Sequence, residues 1–361
     1  SPPKPSSAAS DVYKRQLKHL VPVLLALATI TGSLSACELK PKAQQKVSKQ
    51  GFYFDTIIQI TLYGTTDEKY IDDCFDMAKK YEDMLSNTVS YSEVSKINDA
   101  AGKEYVTVSD DTLELIKNGI EYGDTSDGRF DITIGKLSDL WNFSEIAENT
   151  DSKDNEVDAS VVPSDAQIQS ELSHVNYRNI QINGNDVMLT DSKAKLDLGG
   201  IAKGFIADKM KAYLQSKKIT SGIINLGGNV LTVGEKSDGS DYTVGIQKPF
   251  DESGEPICTV KIKDKSVVTS GIYERYYRVD GKLYHHILDT TTGYPVKNNL
   301  YSVTIISDSS CDGDALSTTC FALGIDKAKE LINSLSGVEA IFVTDDYSII
   351  TTSDEYNVSK E

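Results

Sequence analysis

The stretch Ser310-Cys-Asp-Gly-Asp-Ala-Leu-Ser-Thr318, with the helix its spacing predicts through Leu323, is the segment around which the rest of the chain is organised. In a helix opening near Gly313, Asp314 and Thr318 lie four residues apart on one face. A carboxylate and a hydroxyl held together at a helix N-terminus suit a small hard cation such as Mg2+, which prefers oxygen and keeps positions open for water and phosphate. The competing reading of an isolated D-x-x-x-T is structural: Asp314 caps the helix and Thr318 bonds to its own backbone. What else the chain carries decides between them.

A chain of 361 residues, 39% hydrophobic and 25% charged, has the make-up of a globular protein and can bury one large core or two smaller ones. Asp plus Glu total 54 against 37 Lys plus Arg, a formal charge of −17, which disfavours nucleic acid as a partner.

Near the start, Lys14, Arg15 and Lys18 precede the apolar run Leu20 to Ile30, and small residues follow up to Leu34-Ser-Ala-Cys37. This resembles a bacterial lipoprotein signal with its lipobox. The run is short, broken by Pro22 and fading into Thr, Gly and Ser, which argues against a membrane-spanning anchor. The expected organisation is a signal peptide over 1–36, a tether over 37–50 beginning at a lipidated Cys37, one catalytic unit over 51–352, and a tail over 353–361. Residues 1–16, rich in Pro and Ser, fit no signal n-region and are set aside. The other four cysteines, Cys74, Cys258, Cys311 and Cys320, form no C-x-x-C and have no neighbouring His, so no zinc site is indicated. Export permits disulfides, while Cys74 and Cys320 in helical patterns read as buried thiols.

Along the mature chain, alternation predicts a first strand over Phe52 to Leu62, and helical spacing predicts helices over Glu68 to Leu85 and Asp110 to Thr125. Acidic, aperiodic Ser144 to Asp165 reads as a solvated loop. A hairpin is expected around Asn183-Gly184 and another at Asp280-Gly281, its second strand covering Leu283 to Leu288. Strands are also expected over Gly222 to Leu226 and Ser302 to Ser307, a helix over Asp326 to Ser334, and a strand pair over Glu339 to Thr352. A strand followed by a helix opens an α/β or α+β domain.

Asp197-Leu-Gly-Gly-Ile-Ala-Lys-Gly204 leads into a helix, and its paired glycines let backbone groups approach a ligand or simply pack tightly. Gly227-Gly-Asn229 at a strand end reads first as structural. His285 and His286, adjacent on an alternating strand, point to opposite faces, so at most one reaches a site. A lone strand histidine is either a satisfied core residue or, beside a metal, a general base.

Taken together, Phe54-Asp-Thr56, Ser92 to Asn98, Asp127 to Gly135, Asp197 to Gly204, Asn225 to Asn229, Thr269-Ser-Gly-Ile-Tyr-Glu-Arg275, Tyr284 to Asp289 and Asp314 to Thr318 resemble, in order, the motifs of the ApbE family. That family comprises lipoprotein FAD:protein FMN transferases, and the resemblance covers about Gly51 to Thr352; the fold expected with it is a two-lobed single α+β catalytic domain with mixed sheets and flanking helices. It implies Mg2+-dependent cleavage of FAD, passage of the FMN phosphoryl group to a Thr or Ser hydroxyl of a target protein, and release of AMP. By motif position the metal ligands would be the Gly200 carbonyl and the Asp314 and Thr318 side chains. FAD contacts would come from Phe54, Arg129, Phe130, Asp131, Asp197, Lys203 and Leu288, and the base for the acceptor hydroxyl would be His286. The acceptors implied are flavoprotein subunits of membrane redox complexes of the Rnf or Na+-translocating NADH:quinone reductase type. Two positions depart from the pattern: Ser317 stands where some relatives carry a carboxylate, and Phe54 where Met is common. The alternatives to transfer are an Mg2+-dependent FAD pyrophosphatase and a non-enzymatic flavin-binding lipoprotein.

Overall fold

The computed structural model describes residues 45–360 apart from 151–154, 252, 355 and 357; the signal segment, Cys37 and most of the tether lie outside the described residues. The chain opens with a hairpin, β1 (Lys46–Tyr53) and β2 (Thr56–Tyr63), then α1 (Lys69–Leu85), α2 (Glu93–Asp99), β3 (Val106–Thr107) and α3 (Asp110–Thr125). The next segment holds α4 (Gly135–Trp141), α5 (Phe143–Glu148), α6 (Asp165–Leu172), β4 (Ile180–Asn183) and β5 (Asp186–Leu189). Then come α7 (Ala202–Ser216), β6 (Ser221–Leu226), β7 (Asn229–Gly234), β8 (Tyr242–Gln247), β9 (Pro256–Ile262) and β10 (Ser266–Gly271). The hairpin β11 (Tyr276–Val279) and β12 (Lys282–His285) precedes β13 (Leu300–Ser307), α8 (Ser310–Leu323), α9 (Ile325–Ser334), β14 (Glu339–Thr344), β15 (Ile349–Thr351) and β16 (Ser359–Lys360).

An eight-stranded sheet in the order β1-β2-β6-β7-β10-β13-β14-β15 is the backbone of the larger lobe. Side-chain alternation along its strands feeds two layers. Ile224, Leu226, Leu231 and Val233 pack with α1 and α7, and Val303 and Ile305 pack with α8 and α9. From the opposite face Ile223, Val230, Val267 and Ile306 meet the small sheet β16-β9-β8. The smaller lobe surrounds Trp141, which stacks on Phe143 and packs with Leu288 and Tyr277 between α4, α6 and the β11–β12 hairpin. The chain crosses between lobes at residues 271–276, just after β10.

The α+β class stands, with differences that have local causes. Every strand pairing between the named strands is antiparallel, where mixed sheets were expected, and the only parallel contacts among the described residues are isolated bridges such as Ile134 to Lys195. The single strand expected over Phe52 to Leu62 is a hairpin, because Phe54 and Asp55 both adopt φ 53 and reverse the chain in two residues. Its first strand takes in Lys46–Gln50, so that part of the expected tether is a sheet edge. The stretch expected as a loop over 144–165 carries α5 and a short 3-10 turn at Ala159–Val161, the latter capped by Asp158. In the tail, Ser359 and Lys360 pair with β9. Cys74, Cys258, Cys311 and Cys320 are all buried.

The difference that matters most concerns α8, which opens at Ser310, a full turn before Gly313. Its N-cap is Ser309, whose hydroxyl accepts from Asp312 N–H. Helices α7 and α8 run past each other in opposite senses, Gly204 facing Ser310 and Asp314, and a Cβ on Gly204 would sit 2.1 Å from the Ser310 carbonyl oxygen. Glycine is therefore required by space rather than by dihedral. Gly204→Ala is expected to destabilise the fold by about 1–3 kcal/mol, the range for overpacking a tight contact, and a urea titration should show a lower midpoint with an unchanged slope.

Candidate active site

Asp314 is 4% exposed and lies in the second turn of α8, too far along to cap its own helix. Its carboxylate instead faces the start of α7: Oδ2 accepts the Gly204 N–H at 3.0 Å, and Oδ1 lies 3.5 Å from Lys203 Nζ. One of the amides that the first turn of a helix leaves unpaired is thereby satisfied by a charge, which the helix dipole also favours. One turn on, Thr318 is half-buried and its hydroxyl bonds that of Ser270 at 3.1 Å; Ser270 also bonds Ser317 at 2.7 Å. Ser317 in turn donates to the Asp314 carbonyl at 2.9 Å. The end of β10 and one face of α8 thus meet in a row of hydroxyls beside a carboxylate.

The loop before α7 closes the site from a third side. Asp197 N–H donates to the Ile132 carbonyl at 2.8 Å, and Asp197 Oδ1 accepts from Gly199 N–H at 2.8 Å, which holds the turn. Lys203 Nζ donates to the Gly199 carbonyl at 3.2 Å. Behind Gly200 stands Phe130, 3.2 Å from where a Cβ would be, so the glycine gives this loop room against its wall.

The crossing segment between the lobes supplies the remaining groups. Glu274 is exposed by surface area, though neighbouring protein displaces part of the water around its carboxyl. That desolvation pushes its carboxyl up to about 7, opposed by the nearby Lys203 and Arg275 cations and reinforced by the Asp314 charge. His286, just past β12, receives the same treatment: desolvation first, then the Arg275 charge, hold its pKa down at about 3. It is neutral at ordinary pH. Its Nδ1 lies 3.2 Å from the Arg275 carbonyl; in the neutral ring Nδ1–H donates there, which leaves Nε2 with a free lone pair. His285 differs from its neighbour in being buried with both nitrogens engaged, Nε2–H donating to Val296 O at 3.1 Å and Nδ1 accepting from Ile287 N–H at 3.3 Å. The strand ends at His285 rather than reaching Leu288, and the two rings part there.

Lys203, Asp314 and Thr318 are thus brought together, with Gly200 in the adjoining loop that Asp197 shapes and His286 near enough to feel the Lys203 charge. Phe54 comes to the same end of the large sheet: the β1–β2 and β6–β7 turns adjoin, a Cβ on Gly227 falling 2.3 Å from Thr56 Oγ1. The other expected contacts form the wall behind. Phe130 and Leu288 are buried among core side chains. Asp131 is 8% exposed and its oxygens are taken by Thr133 N–H and hydroxyl and by Tyr177 N–H. Arg129 pairs with Asp289 at 2.9 Å beside a cavity of about 200 Å3 that Lys297 and Lys327 also line. Glu274 and Ser270 were not singled out from the sequence; both lie in the Thr269–Arg275 motif, and neither has a spacing partner along the chain.

Among the described residues no three His, Cys, Asp or Glu side chains converge as a metal cage. A cation here would be held by one carboxylate, hydroxyls and a backbone carbonyl, an all-oxygen and incomplete shell that fits Mg2+ keeping waters and substrate phosphate.

The oxygen donors and the lysine at a helix N-terminus are groups of the kind that suit a phosphate-bearing ligand. The family model described as "ApbE family" matches residues 54–342, and the chain belongs to that family. The FAD:protein FMN transferase of Klebsiella pneumoniae (strain 342) is 38% identical over 298 residues, 82% of this chain and 88% of its own. That of Treponema pallidum (strain Nichols) is 31% identical over 291 residues, 76% and 77% of the two chains. The crystal structure of an ApbE protein from Thermotoga maritima superposes with a TM-score of 0.76 at 31% identity, over 85% of this chain and 96% of that one.

Because Glu274 has a raised carboxyl pKa in the fold, folding favours its protonated form, so the penalty for its charge is absent below about pH 4.5 and complete above about pH 7. Glu274→Gln should therefore raise the melting temperature of the metal-free protein at pH 8 and change it little at pH 4. Scanning calorimetry at the two pH values checks this, and an equal shift at both would remove the electrostatic explanation.

Proposed function

We propose that this protein is an FAD:protein FMN transferase, which passes the FMN half of FAD to a Thr or Ser hydroxyl of an acceptor protein and releases AMP. The observation that carries the reading is the Asp314, Thr318 and Lys203 group, with a neutral His286 near enough to feel the Lys203 charge and its Nδ1 against the Arg275 carbonyl. The acceptor oxygen bonds to the flavin-side phosphorus, the phosphorus–oxygen bond to AMP breaks, and AMP leaves as the phosphate. His286 Nε2 is the atom placed to take the hydroxyl proton. Desolvation is the first cause of its lowered pKa and the Arg275 and Lys203 cations add to it; a bound pyrophosphate would offset the cations and raise its basicity in part. Lys203 supplies positive charge toward the bridging phosphates, and the Gly199-Gly200 turn admits them close to the backbone. Bound Mg2+, held by Asp314, Thr318 and the Gly200 carbonyl, would neutralise charge that develops on the pyrophosphate. Phosphoryl transfer asks for positioning and charge neutralisation more than covalent help.

The lipobox reading adds a location: an exported lipoprotein anchored through Cys37, facing the periplasm or the extracellular side, with acceptor subunits of membrane redox complexes as targets. No helix among the described residues is long and apolar enough to cross a membrane. Cys37→Ala should release the protein from the membrane fraction or leave it unprocessed.

The reading is tested by incubating the protein with FAD, Mg2+ and a candidate acceptor and weighing the intact acceptor, which should gain one FMN. His286→Ala should depress transfer by ~10^2 or more while sparing FAD binding, and Asp314→Ala should cost turnover ~10^2 or more, the size of losing one electrostatic stabiliser. Hydrolysis to FMN and AMP with no mass gain on a suitable acceptor would assign the pyrophosphatase instead, and FAD binding without either reaction would leave a binding protein.

A further inference from the structure

We infer that Asp208 is a positioning residue for the candidate cation site, acting through the first turn of α8 on Asp314. Asp208 follows Gly204 by four residues, so both face α8 from the same side of α7. Its Oδ1 accepts the Ser310 N–H at 2.9 Å, and its Oδ2 accepts the Cys311 N–H at 2.9 Å and the Ser309 hydroxyl at 3.0 Å. Those amides are the ones a helix start leaves without a partner. Asp314 lies four residues after Ser310, so whatever sets the height and rotation of that first turn sets where the Asp314 carboxylate sits.

The contacts form a closed loop. Going out, Asp208 on α7 holds Ser310 on α8; coming back, Asp314 on α8 accepts from Gly204 on α7. Two rigid helices joined at two points one turn apart can neither slide nor rotate without breaking a charge-assisted bond. The first turn has a second set of anchors from α3, where Tyr122 donates its hydroxyl to Asp312 at 2.7 Å and Asn118 reaches Cys311 Sγ at 3.7 Å. These hold the same turn without touching α7, and they separate general stabilisation of α8 from the fixing of α8 against α7. Desolvation raises the Asp208 carboxyl pKa while its three donors oppose that rise, as expected of a carboxylate kept in place by hydrogen bonds.

The inference rests on the oxygen-donor cation site proposed above, and the test keeps the two apart. Mn2+, a paramagnetic stand-in for Mg2+, is titrated into the full chain without FAD and free ion is read by electron paramagnetic resonance, with melting temperatures measured alongside. Asp208→Asn is expected to weaken Mn2+ binding by about 10- to 100-fold, as for loss of a partner that orients a metal ligand, whereas Tyr122→Phe should leave it within about twofold despite a lower melting temperature. Asp208→Glu keeps the charge but lengthens the arm; if the Asn variant does not fold, this one should fold and still bind Mn2+ more weakly than wild type. Wild-type affinity in a folded Asp208 variant, or equal weakening by Tyr122→Phe, overturns the positioning role. Wild-type protein that binds no Mn2+ would instead remove the cation site itself, and the inference with it.

Discussion

The structure depends on an exchange of carboxylates between two antiparallel helices. Asp208 of α7 caps the start of α8, and Asp314 of α8 accepts an amide at the start of α7. Burying two acidic groups in one helix interface is tolerable only where each has donors enough to replace water, and each here meets backbone amides at the positive end of a helix. The approach this needs is possible because Gly204 has no side chain. Everything chemical in the cleft is referred to that contact: Lys203 precedes Gly204, the Gly199-Gly200 turn leads into it, and Thr318 is one turn beyond Asp314.

Around this clamp the cleft is electrostatically mixed rather than uniformly basic. Asp314 and Glu274 stand against Lys203 and Arg275, so the overall acidity of the chain, −17, does not describe the site. The arrangement leaves His286 uncharged, with a defined tautomer, and gives His285 a purely structural place. Two adjacent histidines of identical intrinsic chemistry are thus separated by their bonding: His285 has both ring nitrogens engaged, whereas His286 has its Nδ1 on the Arg275 carbonyl. A dinucleotide pyrophosphate entering such a site meets positive charge at Lys203 and oxygen donors suited to a shared cation, the combination that phosphoryl transfer uses.

Much of this was legible in the residues. Helical spacing alone placed α1 and α3, Asn183-Gly184 announced its hairpin, and the Asp314-to-Thr318 interval put both oxygens on one helix face. The failures have physical reasons. Phe54-Asp55 turns the chain with two residues at positive φ and no Gly or Asn, so no local signal marks the β1–β2 hairpin. The start of α8 was read a turn late because part of its cap, Asp208, lies about a hundred residues earlier in the chain, and such a partner is invisible to local rules. Glu274 was passed over for the same reason: besides its neighbour Arg275, the charges that act on it, Lys203 and Asp314, come from two distant segments. Phe130, Asp131 and Leu288 have buried side chains, a feature that motif position does not announce.

The central claim, that the α7–α8 clamp holds Asp314 and Thr318 ready as oxygen ligands, is met most directly by a crystal structure with FAD and Mn2+ bound, using anomalous scattering to place the ion. The account predicts one ion at about 2.0–2.3 Å from the Asp314 carboxylate and the Thr318 hydroxyl, touching the FAD phosphates, with α7 and α8 unmoved. An ion bound elsewhere, with Asp314 still engaged only by Gly204 and Lys203, would contradict it.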